Sequence, residues 1–428
     1  MQNPVYRRWV QLVLGLLVMM TISSYQYLWT LFVRPFQDAT SSSLAAVQVT
    51  FTLIVALQSF LSPLQGAISD RFKPKYSIAA GTALGGLGWV CAAHTTSLLG
   101  LYASVGLLCG VGTGMVYVSV VGLMVQWFPH RRGFAAGIVA AGYGMGAMFA
   151  TFPITHAIAA EGFRNTLMKY GVIFGVIGVV LALGLRAPSK DEASDQMLLQ
   201  RPEAAAQFQT TPGEMLRTPL FWLMFFMMTI MATGGTMVVS NFAIFAHEFG
   251  VANALVFGMA ALPFALTLDR VTNGLTRPLF GWVSDHLGRE LTMTVAFALE
   301  AVAILCLLIF RGHPYAFAIL SGVVFFAWGE IFSLFPATLT DTFGTKHATT
   351  NYGFLYISFG VSGLLGGPVA ALIHDAAGSW VPVFSIAIGL DVLSAVLAFF
   401  VLLPARRRWL ANRRAIGGGT VAVASPTA

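Results

Sequence analysis

Four polar or charged residues interrupt an otherwise apolar stretch: Asp269, Arg270, Asn273 and Arg277, within DRVTNGLTRP. Asp269, Asn273 and Arg277 recur at i, i+4 and i+8, which sets them along one stripe of a helix. A guanidinium on such a stripe offers a planar fork that matches a carboxylate. The competing readings of Arg277 are a structural pair with Asp269, two turns or ~12 Å of rise away, and a side chain that snorkels out of an apolar layer. Asp269 and Arg270 read equally as a structural pair or as a proton relay.

What must position these residues follows from composition. Of 428 residues, 57% are hydrophobic and 10% charged, whereas a soluble domain carries roughly a quarter of its residues charged. Apolar runs of about 20 residues, the length of a helix that crosses ~30 Å of hydrocarbon, recur along the chain. Twelve are read: 9–33, 44–68, 76–95, 98–126, 133–156, 167–186, 219–246, 253–282, 290–310, 314–340, 350–374 and 379–403. The runs are continuous, which excludes the short alternating segments of a membrane β-barrel. The first is longer than a signal-peptide core and lacks a small-residue cleavage site, so it is read as a span. Cys91, Cys109 and Cys306 all fall inside apolar runs and read as packing residues.

Outer loops hold only Arg34, Arg164, Lys169 and Arg311 if both termini lie inside; all other Lys and Arg outside the spans then face the cytoplasm. This asymmetry accounts for the net charge of +7 without nucleic acid, because basic loops lie against an anionic leaflet. The polar segment Arg186–Pro219 separates two groups of six spans. The organisation read is a six-helix bundle over 1–186, a cytoplasmic linker over 187–218, a second six-helix bundle over 219–404, and a disordered cytoplasmic tail over 405–428.

The two bundles read as copies. GAISDRFKPK from Gly66 aligns with GWVSDHLGRE from Gly281, and the same offset relates Phe128 to Phe343 and Arg131 to Lys346. Each of these loops enters a glycine-rich span, GIVAAGYGMG from Gly137 and GFLYISFGVSG from Gly353. Weak internal symmetry of this kind marks a secondary transporter with its site at mid-membrane. Asn273 then maps to Gln58, Arg277 to Ser62, and Tyr117 to Phe332.

Gly66, Asp70 and Arg71, with Gly281, Asp285, Gly288 and Arg289, resemble the paired loop motifs of the major facilitator superfamily. The first copy departs from the pattern at Lys73 and Pro74. Within that superfamily, WFPHRRGFAAG, GEMLRTPLFW, TRPLFGWVSDHLGR and NYGF resemble the oxalate:formate antiporter family, a relative of the monocarboxylate transporters. The resemblance implies an all-α membrane protein of twelve helices in two pseudo-symmetric bundles. Its implied gating residues are Asp70, Arg71, Asp285 and Arg289, and its implied substrate cation is Arg277 on span 8. Spans 1, 4, 5, 10 and 11 line the cavity in this superfamily, which adds Tyr27, Tyr117, Tyr143, Trp328 and Tyr356 to Asn273 and Gln58; each aromatic reads equally as packing. The oxalate transporters carry a lysine on span 11, and that place here is Phe359. One fixed cation suits a monoanion, because the second carboxylate of a dianion would be desolvated and unpaired.

The function read is alternating-access transport of a small organic anion, a monocarboxylate by preference, with a counter-transported anion. Proton-coupled monocarboxylate symport is the alternative, with Asp269 or Glu330 as the proton carrier; the related monocarboxylate transporters place an aspartate where Asn273 stands. A non-transporting membrane receptor is the rival of another class. No metal-spaced His or Cys set, phosphate loop or nucleophile–base pair is found, so no enzyme activity, catalytic residue, metal or cofactor is expected. The eight histidines are scattered; His247 and His374 lie near span ends as pH-sensitive gates or as surface residues. The partners read are the anion, the bilayer and a coupled proton or anion, for a monomer in the inner (plasma) membrane.

Overall fold

A computed structural model describes residues 4–189, 192 and 209–418. The helices in chain order are α1 (Pro4–Tyr27), α2 (Trp29–Thr40), α3 (Leu44–Phe60), α4 (Ser62–Arg71), α5 (Pro74–His94), α6 (Leu98–Leu101), α7 (Gly110–Trp127), α8 (Arg132–Glu161), α9 (Phe163–Leu183), α10 (Pro212–Leu216), α11 (Pro219–Glu248), α12 (Ala261–Leu287), α13 (Arg289–Ile309), α14 (Pro314–Trp328), α15 (Ile331–Phe343), α16 (Ala348–Ala377), α17 (Val381–Val396) and α18 (Leu403–Gly418). Wider π-helical turns over Tyr102–Cys109 and Leu397–Leu402 join α6 to α7 and α17 to α18, each pair forming one continuous rod.

Among the described residues, ten helical rods are long and apolar enough to cross a membrane, and eleven if the pair α3–α4, bent by 48°, counts as one. The twelfth element, α12, is long enough at 27 residues but carries Asp269, Arg270, Arg277 and Asp285. Phe152, Leu99 and Leu372 are among the large apolar side chains that project from the rods, as a lipid-facing surface requires.

Local chemistry sets the boundaries. Ser43 and Thr218 cap α3 and α11 by accepting the Ala46 and Phe221 amides. Pro74, Pro219 and Pro314 open α5, α11 and α14, where a missing N–H costs nothing. Gly288, at φ 99°, makes the turn between α12 and α13 that a side chain would oppose.

Three features differ from the sequence reading. A two-residue hairpin, Leu255–Val256 paired with Met259–Ala260, precedes α12. Its turn, Phe257–Gly258, has positive φ at both positions, the geometry that closes a tight hairpin. Residues 405–418, read as part of a disordered tail, continue as α18. This helix is anchored by Arg406, which donates to Glu290 (2.6 Å) and Thr342 (2.8 Å), and by Trp409, whose ring meets Phe343. Residues 419–428, and 190, 191 and 193–208 of the linker reading, lie outside the described residues.

Within the first six spans α5 packs on α9 and α1 on α8; within the last six, α11 packs on α16 and α13 on α17. Two pseudo-symmetric contacts join the groups, α8 on α12 and α4 on α16. Both depend on missing side chains. A Cβ at Gly281 would strike the Gly133 carbonyl, and one at Gly66 would strike the Thr349 backbone. Gly137 lies against the Arg277 carbonyl and Gly353 against that of Ser62. These contacts lie on the face that carries the loops at 72–73, 128–131 and 344–347; this loop face is closed.

Gly281→Ala is predicted to open the loop face, because backbone cannot yield to the added methyl; the cost is about 1–3 kcal/mol. Thiol labelling of Ser62→Cys in a background without the native cysteines should rise severalfold. Unchanged labelling would show that the glycine contact does not hold the face shut.

Candidate functional site

Above the closed face, α1, α3, α8, α11, α12, α14 and α16 surround a cavity of about 400 Å³. Its wall includes Gln26, Tyr27, Phe51, Val55, Gly144, Asp269, Arg270, Asn273, Trp328 and Phe359. Arg277 lies beneath this wall, 2% exposed. Its Nη2 donates to Asn273 Oδ1 (2.8 Å) and its Nη1 to the Ala140 carbonyl of α8 (2.6 Å), while its Cζ sits 4.6 Å from the centre of the Phe332 ring. Gly144 leaves room for the fork, since a Cβ there would sit 3.3 Å from Cζ. Arg277 Nε has no hydrogen-bond partner and no acid pairs with the guanidinium among the described residues. An arginine at the bilayer centre costs about 2.5–3.5 kcal/mol on insertion scales. Two charge-assisted hydrogen bonds and a ring face offset that cost, with no ion pair to the guanidinium among the described residues.

The aromatic residues named from the sequence form one connected series of rings. Tyr27 meets Tyr143 (5.5 Å between centroids), Tyr143 meets Tyr117 (5.2 Å), and Tyr117 stacks on Tyr356 (4.9 Å). Tyr356 meets Phe359 (5.6 Å), Phe359 meets Phe332 (5.2 Å), and Phe332 meets Trp328 (5.9 Å). The series begins at the cavity wall, passes behind it and returns through Phe359 to the ring under Arg277. Tyr27, Trp328 and Phe359 line the cavity; Tyr117, Tyr143 and Tyr356 form the layer behind. The Tyr117 hydroxyl and Trp328 Nε1 have no hydrogen-bond partner among the described residues.

Gln58 belongs to that second layer. It is 1% exposed, with Oε1 3.4 Å from the Tyr143 hydroxyl, so it does not face Asn273 across open space as the repeat implied. The amide that does line the wall is Gln26, whose Oε1 accepts the Tyr143 hydroxyl. The sequence reading passed over Gln26 in favour of its neighbour Tyr27, although an amide within an apolar span is itself a polar signal.

Asp269 is 1% exposed at the cavity edge. It lies beside Ser321, whose hydroxyl donates instead to the Ala318 carbonyl, and its carboxyl has no partner among the described residues. Glu330 sits in the break between α14 and α15, fully buried and outside the cavity lining. Glu300 and Asp391, not singled out from the sequence, are likewise buried without a hydrogen-bond partner among the described residues. His374 stacks on Trp380 near the far end of α16 and contacts Glu248 (3.0 Å), away from the cavity.

On the loop face, the two motif aspartates cap helices of the opposite half. Asp70 accepts the Thr350 amide (2.8 Å) and hydroxyl (2.6 Å) at the start of α16. Asp285 accepts the Gly133 (3.0 Å) and Phe134 (2.9 Å) amides at the start of α8. A carboxylate at a helix N-terminus satisfies orphan amides and meets the positive end of the helix dipole. Arg289 pairs with Asp285 (2.6 Å) and Asp341 (2.8 Å), and Arg132 reaches the same Asp341 (2.5 Å) across the interface. Arg71 is exposed and makes no ion pair among the described residues, so the cations of the latch are Arg132 of the first repeat and Arg289 of the second.

The family model described as Major Facilitator Superfamily matches residues 12–271 and 264–426. The chain is 34% identical over 396 residues to the oxalate:formate antiporter of Oxalobacter formigenes, covering 92% of this chain and 91% of that one. It is 25% identical over 380 residues to monocarboxylate transporter 13 of Bos taurus, covering 87% and 83%. Among solved structures, the fucose:proton symporter FucP of E. coli superposes with a TM-score of 0.68 at 16% identity, over 91% of this chain and 98% of that one, a likeness of fold.

The two aspartate caps hold different helices, so their effects should add. Asp70→Ala and Asp285→Ala are each predicted to weaken closure by about 1–2 kcal/mol and the double variant by the sum. Spin-label distances across the loop face measure the closed fraction; a double variant no more open than either single one would contradict independent caps.

Proposed function

This chain belongs to the Major Facilitator Superfamily, and from that premise we propose that it carries small carboxylates across a membrane by alternating access. The observation that carries the proposal is Arg277: a buried guanidinium with no acid partner among the described residues, one contact away from an open cavity. An incoming carboxylate supplies the missing negative charge. It takes the Arg277 fork in place of Asn273 or Ala140, and with the charge neutralised the aromatic wall closes over it at lower cost. The caps at Asp70 and Asp285 release as the opposite face shuts, so the two six-helix bundles, 1–186 and 219–404, rock about the fixed site.

A single buried cation favours a monocarboxylate over oxalate. Phe359 stands on the cavity wall between Tyr356 and Phe332, where a second cation on α16 would have to be. Exchange against a second anion accords with the antiporter relative. Proton symport is the second reading, favoured by Asp269, a carboxyl at the cavity edge with no partner among the described residues. Counterflow separates them: antiport requires an anion on the far side, whereas symport runs on a pH gradient alone. A receptor would bind the anion and show no counterflow. The protein then acts as a monomer in the inner membrane with both termini and the loop face in the cytoplasm, consistent with the bias of Lys and Arg to that face.

Arg277→Lys keeps the charge but loses the fork, and carboxylate affinity should fall about 10-fold or more; Arg277→Ala should abolish exchange in proteoliposomes. Normal exchange by purified Arg277→Ala protein would refute the assignment. Phe359→Lys should shift preference toward oxalate, read as the ratio of oxalate to monocarboxylate uptake; an unchanged ratio would count against the role given to Phe359.

A further inference from the structure

Arg270 is the one guanidinium among the cavity-lining residues. It stands seven residues before Arg277 on α12, which returns it to within about 20° of the same helix face at a rise of about 10 Å. It is exposed to the cavity and makes no ion pair among the described residues. The adjacent Asp269 does not occupy it: sequence neighbours on a helix diverge by about 100°, and the Asp269 carboxyl lies beside Ser321 with no partner among the described residues. Asn273 lies between the two arginines and is tied to the lower one. Phe51, Val55 and Phe359 line the same space without charge.

We propose that Arg277 and Arg270 form a two-point anion site that accepts linear dicarboxylates of about four to six carbons, in addition to the monocarboxylates that need Arg277 alone. This rests on Arg277 being the carboxylate site. Allowing about 3 Å for each charge-assisted contact, an offset near 10 Å of helix rise leaves about 4 Å between the two carboxylates, the reach of such a short chain. The apolar wall takes the methylene groups. Oxalate, whose two carboxyl groups share one bond, cannot touch both arginines and leaves one end desolvated.

The test is direct binding to the purified full-length protein, by titration calorimetry, of acetate, butyrate, oxalate, succinate, glutarate and adipate, with the wild type, Arg270→Gln and Arg270→Lys. In the wild type, one or more of succinate, glutarate and adipate should bind about 10- to 100-fold tighter than oxalate. Arg270→Gln should lower the dicarboxylate-to-monocarboxylate affinity ratio by a similar factor, and Arg270→Lys should restore part of it. Monocarboxylate binding with no dependence on dicarboxylate length, or an Arg270→Gln ratio equal to that of the wild type, overturns the two-point site and leaves the Arg277 reading standing. Failure of every carboxylate to bind the wild type overturns both.

Discussion

On the C-terminal side of the cavity lies a buried guanidinium, Arg277, with no ion-pair partner among the described residues. Burying a guanidinium in an apolar bundle is tolerated here because two acceptors and a ring face meet it, yet none of the three carries a negative charge. The residue is fixed in place and electrically incomplete. That combination favours the proposed reading of Arg277 as a binding cation, for a structural arginine in such a place is usually paired with an acid. The loop face shows the contrast: Arg132, Arg289 and Arg406 all converge on the acids Asp285, Glu290 and Asp341.

The same helix, α12, serves both ends of the mechanism. Its upper part sets Arg270 and Asn273 on the cavity wall with Arg277 buried beneath them, while its last turn carries Asp285 to the start of α8. Between them Gly281 and the Arg277 carbonyl press against Gly133 and Gly137. On the proposed function, a single helix that carries both Arg277 and the latch aspartate would couple a change at one to the other without an intervening path. The first repeat repeats the latch, through Asp70 and α16, but has Ser62 where the second has Arg277. Pseudo-symmetry thus shapes how the halves close, and its breaking leaves a guanidinium on one side only.

Much of this was legible from residue types. Arg277 stood out because an arginine in an apolar span is costly, and Asp70 and Asp285 because the repeat displays the same motif twice. The depth of a side chain was not legible. Gln58 and Asn273 are equivalent by repeat, but one lies behind a tyrosine and the other on the wall. Arg270 and Asp269 are neighbours whose environments diverge with helical phase, and a spacing of i+8 is a poorer guide to a shared face than i+7 once the drift of 100° per residue accumulates. The hairpin before α12 rests on four paired residues and a Phe-Gly turn, too short to register as a strand pattern. Helix α18 persists because Arg406 and Trp409 find partners distant in sequence, which no local composition encodes.

The most direct measurement is to locate a bound anion. Crystals of the protein soaked with a bromine-labelled short monocarboxylate, measured at the bromine absorption edge, should place the carboxylate within about 3 Å of the Arg277 guanidinium nitrogens, with the Asn273 or Ala140 contact released. Bromine density elsewhere in the cavity, with Arg277 still bonded as in the empty protein, would contradict the account.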